Sequence, residues 1–145
     1  MRQAIPVVLT TMLAVSPAVA DTARTAKMYK PEQCGCCDDY ARYLEGHGFK
    51  LAVESLPERR FDFVKRSAGV PQSLTGCHTL MIDGYVVEGL VPVEILNKLL
   101  REKPKIKGIS LPGMPVGAPG MPGRKNGPLV IYELGSAQPK VFATD

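Results

Sequence analysis

The period with which apolar and polar positions alternate changes several times along the chain, and each change marks an element. AKMYK, residues 26–30, reads as a short strand. DDYARYLEGHG reads as a helix, because Cys37, Tyr40, Ala41 and Leu44 recur at i, i+3, i+4 and i+7 before Gly46 and Gly48 stop the pattern. Phe49, Leu51 and Val53 alternate with Lys50, Ala52 and Glu54, the period of a half-buried strand. FDFVKRSAG predicts a short helix ending at Gly69. HTLMIDGYVVE, from His78 to Glu88, is two apolar runs around Asp83-Gly84, a strong hairpin signal. Pro92 suits the first turn of a helix, VPVEILNKLLREK, whose Val93, Leu96, Leu99 and Leu100 share one face.

The order is strand, helix, strand, helix, strand, strand, helix, which is that of the thioredoxin fold. An α/β thioredoxin-like domain is therefore expected over residues 26–103, with a C-terminal extension over 104–145 packed on the same domain. Residues 104–128 are so dense in proline and glycine that no regular element is expected there. They contain two similar pieces, LPGMPVG and APGMPGR, each with one methionine, Met114 and Met121. LVIYEL and KVFATD then predict a closing β-hairpin, which would tie down a Pro/Gly/Met loop unusually long for a compact domain.

Composition adds a destination. Residues 1–20 carry an early charge at Arg2, an apolar middle from Ile5 to Val15 and the small-x-small end Ala18-Val19-Ala20, the plan of a secretory signal peptide cleaved after Ala20. The apolar run is too short, and too broken by Thr10, Thr11, Ser16 and Pro17, for a membrane anchor. Cleavage would leave 17 basic against 14 acidic residues, a net charge of +3, with no membrane span and no basic patch interleaved with aromatics. A monomer with no nucleic-acid partner is expected.

The chemistry concentrates in QCGCCD, residues 33–38, which holds three of the four cysteines. Adjacent Cys36 and Cys37 cannot form an unstrained ring, and whichever pair closes, a third sulfur stays nearby. The cluster falls at the N-terminus of the first helix, where unsatisfied N–H groups and the dipole ease thiol deprotonation. Thiolates are soft ligands that select Cu(I), zinc or iron–sulfur clusters. Three of them can converge on one ion if Cys34 and Gly35 lie in the loop before the helix, Gly35 supplying a permissive backbone, or they can bridge more than one metal. The topology brings Cys77 to the same place as a fourth sulfur. His78 is an additional candidate ligand, although on an extended chain it would face away from Cys77. Met114 and Met121 are either thioether donors suited to Cu(I) or pins that hold the loop to the core. His47 reads as a helix C-terminal cap, and Asp38 and Asp39 as dipole partners of the first turn. Metal binding leads this reading, with thiol–disulfide exchange as its rival and a zinc-stabilised domain as a third reading.

CGCC after a first strand, GVPQSLTGCHT, DGYVVEG followed by VP, and LPGMPVGAPGM together resemble the CopG-type copper-resistance proteins, exported from Gram-negative bacteria. The resemblance spans about Met28 to Met121 and implies a thioredoxin-like domain whose C-terminal extension contributes to metal binding. It implies a periplasmic protein binding copper ions bridged by cysteine sulfurs, with interconversion of Cu(I) and Cu(II) and a copper oxidoreductase role in resistance. Copper export or oxidase systems of the periplasm would be its partners. Carried over by motif, the ligands fall on Cys34, Cys36, Cys37 and Cys77, with Met114 and Met121 as the extension's candidates. The chain departs from the family pattern at Leu90, where a histidine often precedes the VP, and at Tyr40, where tryptophan is common.

Overall fold

The computed structural model describes residues 23–145; the expected signal peptide lies outside the described residues. The chain forms a mixed α/β fold of three helices and one seven-stranded sheet, ordered β2-β1-β3-β4-β5-β6-β7.

The first strand, β1 (Arg24–Pro31), runs parallel to β2 (Phe49–Leu56). Between them lies α1 (Gly35–Gly46), whose buried residues are Cys37, Tyr40, Ala41 and Leu44, the stripe its periodicity predicts. His47 caps its C-terminus, with its ring Nδ1 2.7 Å from the Tyr43 carbonyl. The alternation in β2 fades along its length: Phe49 is buried, but Val53 is 44% exposed. The reason is position, since β2 is an edge strand of the sheet. The second helix, α2 (Glu58–Ser67), starts three residues earlier than FDFV suggests. Pro57 fixes the backbone just before it and Glu58 faces the positive end of its dipole, so the polar stretch Glu58–Arg60 joins the first turn.

Strands β3 (Thr79–Ile82) and β4 (Tyr85–Glu88) form the expected hairpin, with Asp83 at φ 47° and Gly84 at φ 82°, both left-handed as a two-residue turn requires. Helix α3 (Val93–Glu102) follows Pro92 and buries Val93, Ile95, Leu96, Leu99 and Leu100.

The extension corrects one expectation. Within the stretch expected to hold no regular element, Gly108–Ser110 forms β5, parallel to β4 and antiparallel to β6 (Val130–Leu134). Three residues carry no readable period; pairing on both sides makes this strand. Gly108 allows it, because a Cβ there would sit 1.8 Å from the Val86 carbonyl oxygen. Strand β7 (Val141–Thr144) completes the closing hairpin at the far edge.

Alternation along the strands sends side chains to opposite faces. Met28, Leu80, Ile82, Val87, Ile109 and Ile131 share one large cluster with α1 and α3. Val86 and Leu134 point the other way, onto Ala68, Val70 and Leu74 after α2. Each fully buried aliphatic side chain contributes about 1.5–3 kcal/mol, so the large cluster provides most of the driving force. Two tyrosines lock α1 to the segment before α3: Tyr40 donates to the Val91 carbonyl at 2.7 Å, and the Val93 N–H donates to Tyr43 Oη at 3.0 Å. The N-terminal half of α1 also lies against the loop that enters β3, with Cys37 Sγ 3.4 Å from the Cys77 carbonyl oxygen and the Tyr40 ring centroid 4.6 Å from that of His78.

Candidate metal centre

Cys34 occupies the N-cap of α1, where its carbonyl oxygen accepts the N–H groups of Cys37 (3.2 Å) and Asp38 (3.3 Å). Gly35 is the first helical residue rather than part of a preceding loop, and its φ is not left-handed, so a permissive backbone is not what this position uses. Cys36 and Cys37 follow in the first turn. Cys77 arrives from the irregular chain between the 3-10 turn Gln72–Leu74 and β3. The four sulfurs lie within 4.8 Å of one another.

Cys34 and Cys37 are joined in a disulfide, with their Cα atoms 5.3 Å apart, while Cys36 and Cys77 are free thiols. One sulfur of QCGCCD is thus left over, as its odd number requires. Cys36 Sγ lies 3.6 Å from Cys34 Sγ and 3.9 Å from Met114 Sδ. Cys37 Sγ is 3.4 Å from the Cys77 carbonyl oxygen.

Cys77 behaves differently from a thiol at a helix terminus. Burial, followed by the negative charge that Cys36 would carry, pushes its pKa up to about 12. His78 is fully buried, with its Nδ1 3.4 Å from Cys77 Sγ and its ring centroid 4.6 Å from that of Tyr40. The chain is still irregular at His78, so neighbouring side chains need not face opposite ways, and the expected divergence from Cys77 does not arise. Its Nε2 is buried without a hydrogen-bond partner. Burial, then the nearby Lys65 charge, lowers its pKa to about 3, so the ring is neutral.

The two extension methionines are placed differently. Met114 is 55% exposed beside Cys36, whereas Met121 is half-buried and packed against the large core cluster. Leu90 and Tyr40, the two positions at which the resemblance marks a departure, are both fully buried in that cluster. A groove of about 670 Å³ opens beside the sulfurs, lined among others by Cys34, Cys77, Met114, Phe61, Glu58 and Asp62.

Sequence reasoning did not find the ion pair behind this site. Lys65 and Glu88 are both buried, and they meet in a salt bridge next to Gly76. A charged residue closing the apolar run of β4 was the only available sign of Glu88, and Lys65 on a polar helix gave none.

Comparison with known proteins then locates the chain. Residues 74–121 match a family described as "Protein of unknown function, DUF411". No curated protein matches. Two solved structures, "Copper resistance protein copG- Form 1" and "Form 2", align with TM-scores of 0.76 and 0.75. Each is 37% identical, and each alignment covers 85% of this chain and 98% of the other. With the cysteine-rich helix start, the Cys77 loop and the closing extension on one sheet, and with identity maintained over nearly the whole of that relative, this chain belongs to the CopG family of copper resistance proteins.

Proposed function

We propose that this is a periplasmic copper-binding protein of copper resistance. In this reading Cys34, Cys36, Cys37 and Cys77 hold copper as thiolates and Met114 adds a thioether, while Met121 pins the extension to the core. The observation that carries it is four cysteine sulfurs within 4.8 Å, with a methionine sulfur 3.9 Å from one of them. Such an all-sulfur set is soft and fits Cu(I) better than a hard cation. A dithiol reductant, itself oxidised to a disulfide, opens the Cys34–Cys37 bond to two thiols, whose protons leave as copper binds, and so completes the set. Sulfurs this close can bridge more than one ion, and moving between Cu(I) and Cu(II) passes one electron per ion to or from a periplasmic partner. The copper-resistance relatives support the cargo, and the thioredoxin-like reading of the fold is supported by the β2-β1-β3-β4 order with the cysteines at the start of α1. Residues 26–103 are taken as that domain and 104–145 as an extension integral to its sheet.

The test is a competition titration of the reduced protein with Cu(I) against a chelator. Binding at the sulfurs should fall at least tenfold in Cys36→Ser; weak binding by the unaltered chain, or no loss in that variant, overturns the reading. A pH dependence accompanies it. Burial holds the Cys77 thiol above its ordinary range, so its ligation releases a proton, and over the pH range in which it stays protonated this one group makes Cu(I) affinity rise about tenfold per pH unit. Cys77→Ser should lower that slope by one.

A second reading, a thiol–disulfide oxidoreductase, is favoured by the Cys34–Cys37 disulfide at a helix N-terminus. Reduction of insulin disulfides by the metal-free protein would support it.

A further inference from the structure

Lys65 and Glu88 are an ion pair with side-chain exposures of 9% and 0%, a poor device for stability. Desolvating both charges costs about as much as their attraction returns, and apolar residues of similar volume often serve as well. What distinguishes the pair is the backbone it holds. Glu88 Oε1 accepts the Gly76 N–H at 2.8 Å, and Lys65 Nζ donates to the Gly76 carbonyl at 3.0 Å. Thr79 Oγ1 donates to Glu88 Oε2 at 2.7 Å and lies 3.5 Å from Lys65 Nζ, which completes the network. Both peptide groups flanking the Gly76 Cα are thus fixed, and the second of them is the peptide of Cys77.

The hold extends to the extension. Gly76 forms a parallel bridge with Gly113, whose N–H donates to the Thr75 carbonyl at 2.8 Å, and Met114 is the next residue. On its other side Gly76 lies against the residue that follows β4, so closely that a Cβ on it would stand 2.5 Å from the Gly89 Cα. Cys77 and Met114 therefore belong to two irregular segments tethered at one point, and that point is Gly76.

Resting on the copper reading above, we infer that Lys65 and Glu88 are positioning residues that clamp Gly76, so that Cys77 and Met114 are held against the cysteines of α1 before any metal arrives. Neither side chain touches the cargo. They act through the Gly76 peptides, supplying rigidity that a loop lacks and a thiolate site needs if it is not to pay for ordering at each binding event.

The test uses a readout independent of copper. In a Cys34→Ser, Cys37→Ser background only Cys36 and Cys77 remain, and oxidised glutathione closes them into a disulfide while releasing two reduced glutathiones. The equilibrium constant is their effective concentration. Adding Lys65→Met with Glu88→Met should lower it at least tenfold, with the fold retained by circular dichroism and the melting temperature moved by only a few degrees. Lys65→Met with Glu88→Gln, which keeps an acceptor for the Gly76 N–H, should fall about threefold and serves if the first pair does not fold. An equilibrium within a factor of 1.5 of the starting value in either folded variant, where order-of-magnitude losses are the expected scale for a displaced supporting shell, overturns the inference. On the cysteine-complete chain the same substitutions should weaken Cu(I) competition to a similar degree. If the unaltered chain fails to bind Cu(I), the copper reading falls, while the disulfide equilibrium still decides whether the clamp exists.

Discussion

LPGMPVG and APGMPGR are nearly the same words, yet the fold uses them in different ways. In the first, Gly113 is tied through its N–H to Thr75, and Met114 stands exposed beside Cys36. In the second, whose Ala118 is buried in the core as Leu111 is in the first, Met121 packs on the same cluster and Gly120 lies flat on α1. Both glycines are left-handed, at φ 71° and 87°, but only Gly120 has neighbours where a Cβ would stand: the Cys36 carbonyl at 2.7 Å and the Tyr40 nitrogen at 3.0 Å. A repeated sequence thus divides into an arm that presents a sulfur and an arm that anchors the loop.

The comparison breaks most visibly at the glycines. Gly120→Ala should combine a strained backbone with a clash against α1 and cost about 2–4 kcal/mol by chemical denaturation. Gly113→Ala meets open space and should cost about 1 kcal/mol from the backbone alone. Equal losses would mean that the second arm is not seated on the helix. Next come the methionines. Met121→Ala should destabilise by about 1–2 kcal/mol, less than a fully buried methionine would, and leave Cu(I) affinity within about threefold. Met114→Ala should do the reverse, changing stability by less than about 0.5 kcal/mol while lowering Cu(I) affinity about tenfold in the chelator competition. If Met121→Ala weakens copper as much as Met114→Ala does, both arms are ligand arms and the division fails.

The helical stripe of α1, the Asp83-Gly84 turn, the α3 face and the closing hairpin were legible in the sequence because each is written in local periodicity or in turn chemistry that one residue type demands. The cysteine cluster and its place at a helix start were legible for the same reason. Three things were not. Strand β5 is three residues long and exists through its partners on both sides. The edge position of β2 lets Val53 face solvent although its alternation points inward. The Lys65–Glu88 pair joins residues 23 positions apart whose neighbours in sequence say nothing of each other.

By itself, the sequence determined that sulfur chemistry sits where a strand gives way to a helix, since spacing and residue type are local properties. Only the tertiary structure decided which sulfurs meet. Cys34 pairs with Cys37, Cys36 is left free, and Met114 brings its sulfur to 3.9 Å from that of Cys36 while Met121 packs on the core. The physical reason is that loops carry no period of their own. Their positions are fixed by backbone groups held from distant elements, and at this site those groups belong to Thr75, Gly76 and Gly113.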